Sequence, residues 1–535
     1  MLKKSMFTSI AICTQIIFGL CDTALAEKIL KRGNGIEPQS LDPQKTTGAA
    51  EGKIILDQLE GLLSTAADGA LIPGAAEKWE ISEDGKTYTF FLRENAKWSN
   101  GDPVKAEDFV YAWRRTVDPK TASTWSYMFY PIQNAKEIST GEKPLTDLGV
   151  KSDGDYKFIV TLNEPTPYLL TLVAHQSMVP LHQKTIESNP DRWMRPESMV
   201  SNGAFIISEW APQSYVKLKK NPAYWDAANV KLDGVIFYPI DDRQAEYKRF
   251  KAGDLDLTFT VPTEQIEIIK KDMPANYKSN SMYATYYYAF NNTRVPFDNP
   301  KIRQALSLAI DREKIVLQIT KGDENPAYSF VPPAEGDYAP QEMQCQSDSG
   351  LVPCKSLTQE QRNKIAQDIF KEVGYNKATP IEIVFNTDDS NKKIAIAVAG
   401  MWKKVLGVET MLTNKEWKVY LASKEKREYD VFRQRWIADY KDPSAFLSLF
   451  RSDTGIGNTP GHFSPKYDLY LDESAKTTGK KRIENLANAE KELMSNFVIA
   501  PIYYFVTNSL VSEKVSGYKT NAMDHHLSRW IDLQE

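Results

Sequence analysis

The chain has 535 residues, 42% hydrophobic and 25% charged, with a formal net charge of −4. That length exceeds what one core ordinarily organises, so two or three domains are expected. The near-balanced charge supplies no basic face for nucleic acid, and the hydrophobic fraction is that of an ordinary globular protein.

In chain order, the first signal is terminal. Lys3 and Lys4 precede an apolar stretch from Ile10 to Leu20, and Ala24-Leu25-Ala26 follows as a small-x-small site. This is the pattern of a secretory signal peptide, with cleavage expected after Ala26. A membrane anchor would need ~20 apolar residues, more than stand here. Lipidation at Cys21 is the alternative, but Leu20 occupies the place where a small residue is usual. No later stretch is long and apolar enough to span a bilayer.

Thr87 to Leu92 and Tyr215 to Lys219 read as strands, the second alternating apolar and polar. Ala106 to Arg115 reads as a helix with Phe109, Val110 and Trp113 on one face. Asn299 and Pro300 open another helix, Asp311 caps the next, and Ala395 to Leu406 forms a third that ends at Gly407. Ile381 to Phe385 and Asp430 to Arg433 read as strands. The class is α/β or mixed α+β with mixed sheets and domains of interleaved segments. No fixed-period repeat is visible.

Cys13 and Cys21 depart with the signal, leaving Cys345 and Cys354 around a polar loop with Gly and Pro. In an oxidising compartment that spacing reads as one short disulfide; a metal site would need a His or further Cys nearby. The His residues, His175, His182, His462, His525 and His526, show no metal-ligand spacing. No nucleophile elbow or P-loop is present. Asp241-Asp242 and Asp388-Asp389 read as loop charges, and His525-His526 as a solvated turn. The expectation is a protein that is not an enzyme and needs no metal or cofactor.

From Asp430 the chain reads as a strand into Trp436, then Ile437-Ala438-Asp439-Tyr440 and a turn at Asp442-Pro443. An acid just past a strand end can stay ionised among rings and amides and take a cation. It can equally cap the following turn. Spacing leaves both open.

This segment resembles the ligand-binding strand of the periplasmic oligopeptide-binding proteins, in the peptide/nickel family of ABC solute-binding proteins. Similar motifs run in order along the chain: Glu37 to Pro43, Ala96 to Val104 with Asp108-Phe109, Asn202-Gly203-Ala204-Phe205, Asn221 to Trp225, Pro296-Phe297-Asp298 with Arg303 to Leu306 and Asp311-Arg312, and Ala500 to Tyr504.

The resemblance implies a two-lobed periplasmic binding protein fold of the class II, cluster C type, with an extra domain. Residues 27–59, 183–283 and 507–535 would form one lobe, 60–182 the extra domain and 284–506 the second lobe. It also implies short peptides as ligands and an inner-membrane ABC importer permease as partner, with the receptor a periplasmic monomer. By the same matching, Thr47-Gly48-Ala49 and Arg435-Trp436-Ile437 pair with the peptide backbone by strand addition. Asp439 takes the amine and Arg433 the carboxylate end of short peptides, while Trp125, Asn386 and Trp417 line side-chain pockets.

Departures from the family pattern are specific. Ala284 and Ile437 stand where the best-known members carry a disulfide. Arg435 replaces a glycine or small residue, Thr47 an acid, and Phe505 a tyrosine. Arg435 either meets an additional ligand carboxylate or points away from the cleft. The murein tripeptide, rich in carboxylates, is the alternative ligand.

Overall fold

Alternation along Leu30, Val216, Leu218, Val235 and Phe237 buries one face of a four-stranded sheet. Its order is Ile29–Gly33, Gly234–Tyr238, Tyr215–Lys220, Phe205–Ala211, with a parallel first pair and antiparallel neighbours beyond. The computed structural model describes residues 27–46, 48–334, 336–375, 379–454 and 457–534; the expected signal peptide, its cleavage site and Thr47 lie outside these. A second four-stranded sheet, antiparallel throughout, is built from Ala76–Ile81, Thr87–Leu92, Lys157–Thr161 and Val150–Ser152. The helix Ala106–Val117 packs over it through buried Phe109, Val110 and Trp113. One continuous core serves both sheets.

A separate core surrounds a six-stranded mixed sheet ordered Asn325–Pro326, Ile499–Leu510, Tyr277–Phe290, Val431–Ile437, Ile381–Asn386, Thr410–Lys415. Two of these strands are long because they pass from one core to another. Tyr277 to Ser281 pair with Leu510 to Val506 at a third, smaller core around Tyr247, Phe250 and Ile269, where Thr258 N–H donates to Leu510 O at 2.9 Å. Thr285 to Ala289 pair with Tyr504 to Ile499 inside the second. Between them the register shifts, and Tyr283 leaves the ladder: its N–H donates to Ala522 O at 2.8 Å and its carbonyl accepts from Ala438 N–H at 3.0 Å. The crossing is thus a bulge, which interrupts the ladder and bends the strand.

Local chemistry fixes the helix starts. Asn299 accepts from Lys301 N–H at 2.9 Å and Asp311 from Lys314 N–H at 2.9 Å, as their spacing predicts. The helix expected from Ala395 begins earlier, at Asp389, because Asp388 caps it by accepting from Asn391 N–H. Asp242 likewise caps Arg243–Lys251, so one acid of each expected loop pair has a structural task. Cys345 and Cys354 form the disulfide and close the hairpin of Gln344–Ser347 and Gly350–Pro353. No helix among the described residues is long and apolar enough to cross a membrane.

Candidate functional site

The strand Val431–Ile437 is paired along its whole length on one side and only in part on the other. Tyr277–Phe290 matches it from Ala284↔Ile437 to Phe290↔Val431, whereas Ile381–Asn386 pairs only at Val431 and Phe432. In an antiparallel pair, alternate residues direct their N–H and C=O to opposite sides. Ala438 N–H points to Tyr283 O, so Trp436 faces the same way, and Arg435 and Ile437 present backbone groups to the open edge. Arg433 belongs to that set, but its carbonyl already accepts from the Tyr420 hydroxyl. The free edge therefore begins at Arg435, and both edge residues are exposed.

Asp439 stands just beyond this edge. Its carboxylate accepts the Tyr127 hydroxyl at 2.6 Å and has no Lys, Arg or His within 4.0 Å among the described residues. Burial pushes its pKa up to about 6, against the lowering effect of the Tyr127 bond. It does not cap the following turn. Asp442 does, accepting from Ser444 N–H at 2.9 Å. Asp442 is also gripped by both terminal nitrogens of Arg482, at 2.9 and 2.7 Å, from the helix Gly479–Ser495.

Beside Asp439 lies a cavity of about 410 Å³, walled by Ala70 and His175 of the first core region and by Tyr283, Pro332, Tyr338 and Ile483 of the second. Burial holds His175 and His525, which also line it, to pKa values of about 3 and about 4, so both are neutral at pH 7. The expected solvated turn at His525-His526 is thus corrected: the His526 side chain is 6% exposed and bonded to Asp524 and Tyr518. With the histidines neutral and Asp442 paired to Arg482, the wall carries Asp337 and Asp439 against Lys441. An unpaired acid on such a wall favours a cationic end group.

The other predicted positions divide by what they touch. Trp436 donates its indole N–H to Ala445 O at 2.8 Å and packs against the second core. Trp125 is buried, donates to Thr46 O at 2.7 Å and meets His175 edge to face, bracing the loop before Gly48. Gly48 is extended and Ala49 exposed at the start of helix Ala49–Gln58. Trp417 is half exposed and stacks on Tyr420. Asn386 accepts from Arg433 at 3.1 Å, and the Arg433 guanidinium lies over Tyr286. Arg435 lies over Phe505, its centre 5.0 Å from the ring centroid. Ala284 and Ile437 are direct cross-strand partners.

No local pattern points to Tyr127, which completes the Asp439 site from 312 residues away, or to the Tyr168–Tyr440 stack at 5.0 Å that joins the same two regions. Among the described residues no cluster of three or more His, Cys, Asp or Glu could hold a metal ion.

Residues 70–458 match the family described as bacterial extracellular solute-binding proteins, family 5 middle. The periplasmic oligopeptide-binding protein OppA of Salmonella typhimurium is 39% identical over 533 residues, covering 96% of each chain. Among solved structures, the murein tripeptide binding protein MppA of Escherichia coli superposes with a TM-score of 0.83 at 35% identity, covering 96% of this chain and 99% of that one. Haemophilus influenzae OppA in complex with RPPGFSPFR gives 0.80 at 36% identity, covering 95% and 99%.

Proposed function

The chain belongs to family 5 of the bacterial extracellular solute-binding proteins, and from that premise we propose how its cleft takes a ligand. The protein is a periplasmic receptor that captures oligopeptides between two lobes for an ABC transporter. Its relatives are binding proteins rather than enzymes.

In our reading Asp439 receives the peptide's ammonium group, and the open backbone groups of Arg435 and Ile437 pair with the peptide by strand addition. Gly48 and Ala49, with Thr47, supply the facing edge. Arg433 meets the carboxylate end of short ligands, and Trp417, Asn386 and Phe505 border side-chain space. Residues 27–59, 183–283 and 507–535 act as one lobe, 60–182 as the extra domain and 284–506 as the other lobe. The working form is a monomer, cleaved after Ala26, that docks on an inner-membrane permease. The observation that carries this reading is an uncompensated acid at the end of a strand whose outer edge is free. Such an edge binds any sequence through its backbone, and the acid fixes where the chain begins.

A second reading, the murein tripeptide, draws on two guanidiniums that share one strand face with no acid paired to either among the described residues. Native mass spectrometry of gently purified protein tests both. A ladder of short-peptide masses is expected. A single muropeptide mass would favour the second reading, and a non-peptide mass would overturn both.

A further inference from the structure

Arg433 and Arg435 lie two positions apart and so on one face of the strand Val431–Ile437. Arg433 is engaged by Asn386 and by the Tyr286 ring. Arg435 forms no ion pair with an acid among the described residues. It is exposed, makes no side-chain hydrogen bond among the described residues, and rests its guanidinium on Phe505. Asp388, whose charge acts on it, makes no ion pair with it and accepts from Asn391 N–H through Oδ1 at the start of the helix Asp389–Leu406. Phe505 lies between Tyr504, paired with Thr285, and Val506, paired with Ser281, where the long strands cross between cores. The ring therefore supports the guanidinium beside the point where the long strands cross.

Position follows from strand geometry. Asp439 stands four residues beyond Arg435, two of them past the strand end at Ile437, so at most ~14 Å away at the ~3.4 Å rise of antiparallel strands. A peptide paired antiparallel to this edge with its amine at Asp439 brings its third or fourth residue opposite Arg435.

We propose that Arg435 is a specificity residue that selects ligands bearing a carboxylate at the third or fourth residue from the free amine. That carboxylate is an Asp or Glu side chain; the terminal carboxylate of short ligands is left to Arg433. The inference rests on the peptide reading of the cleft. A planar, permanently charged fork suits bidentate carboxylate binding, and no internal ion pair has to be broken to free it.

The test is calorimetric titration of the native protein with alanine pentapeptides carrying a single Glu or Gln at each of positions 2 to 5. Tri- and tetra-alanine with free or amidated ends form the second arm. The expected result is a Glu-over-Gln preference of roughly 10–100-fold at position 3 or 4 and none elsewhere, the range for a hydrogen bond to a charged group. Amidation should weaken the short peptides alike in native protein and in Arg435→Gln, which separates terminal-carboxylate binding at Arg433 from the side-chain preference. Arg435→Gln should bring the preference ratio to near one, and Arg435→Lys should keep part of it. Absence of any Glu-over-Gln preference in the scan, or a Glu-over-Gln preference that survives Arg435→Gln, would overturn the proposal while leaving the peptide reading intact. Failure of every free-amine peptide to bind would overturn both. The native-protein scan decides even if a variant folds poorly.

Discussion

The hydroxyl of Tyr127 donates to Asp439 Oδ2 at 2.6 Å, bridging 312 residues of sequence at an acid that has no ion-pair partner among the described residues. Trp125, two residues earlier, is fixed to Thr46 O, so the phenol is carried by a braced turn. Burial raises the Asp439 carboxyl, and the Tyr127 bond acts against that rise by favouring the ionised form. Tyr127→Phe should therefore move the Asp439 titration to higher pH and weaken free-amine peptides a few-fold at neutral pH. Carboxyl chemical shifts followed through a pH series check the first effect, and calorimetry the second. An unmoved midpoint would show that the bond is incidental.

Asp439→Ala removes the partner of a desolvated ammonium group. Loss of one member of such a pair costs about 3–5 kcal/mol when the other charge stays buried. Peptides with a free amine should lose affinity on that scale, and N-acetylated peptides should bind native and variant protein nearly alike. Calorimetry on matched pairs measures the difference, and Asp439→Asn repeats it with the side-chain shape kept. Equal losses for both classes would show that Asp439 does not hold the amine.

Binding should also depend on pH in a way set by two groups. The unliganded Asp439 carboxyl titrates at about 6, well above the ordinary value of 3.8. An ammonium ligand binds the ionised form, so below pH ~6 binding must expel a proton and affinity falls about tenfold per pH unit. Between ~6 and ~8 affinity is level, and above ~8 it falls again as the peptide amine loses its own proton. His175 and His525 share the cavity wall but stay neutral until far lower pH, so the limb near 6 belongs to the carboxyl. Titrations from pH 4.5 to 8.5 in buffers of different ionisation enthalpy show both the profile and the released proton. Asp439→Asn should abolish the acid limb and keep the alkaline one; an acid limb that persists in that variant would assign it to another group.

What the chain discloses locally, it discloses well. Asn299 and Asp311 cap where their spacing places them, because a cap needs only neighbours two or three residues away. The strand Thr87–Leu92 appears with the limits read from its run of strand-forming residues. The helix start at Asp389 was hidden because Asp389, Ser390, Lys392 and Lys393 dilute its apolar face. The motifs behind the family resemblance mostly build scaffold. Asn202 holds both backbone groups of Glu60, and Arg303 and Arg312 spend their donors mainly on carbonyls, such as those of Phe497 and Pro501. They reveal the fold without revealing the site. For Asp439, neighbouring residues left cap and clamp equally open. Only the tertiary arrangement gives the cap to Asp442 and frees Asp439. The contact from Tyr127 has no local signature at all.

The grip of Arg482 on Asp442 is what keeps that division of labour. Both side chains are largely buried, and two parallel N–H···O bonds tie the turn after Asp439 to the helix Gly479–Ser495. With Arg482 gone, Asp442 would keep its charge in a low-dielectric place with only the Ser444 amide and hydroxyl as donors. Arg482→Ala should cost about 3–5 kcal/mol of stability, as for a buried pair broken on one side. Arg482→Lys should recover only part of this, because an ammonium group cannot reproduce the planar two-point contact. Urea unfolding of the ligand-free protein measures the loss. The turn also carries Asp439, three residues before Asp442, so peptide affinity should fall together with stability in Arg482→Ala. A variant that loses stability but holds peptide at native strength would show that Asp439 is positioned by the sheet edge and Tyr127 alone.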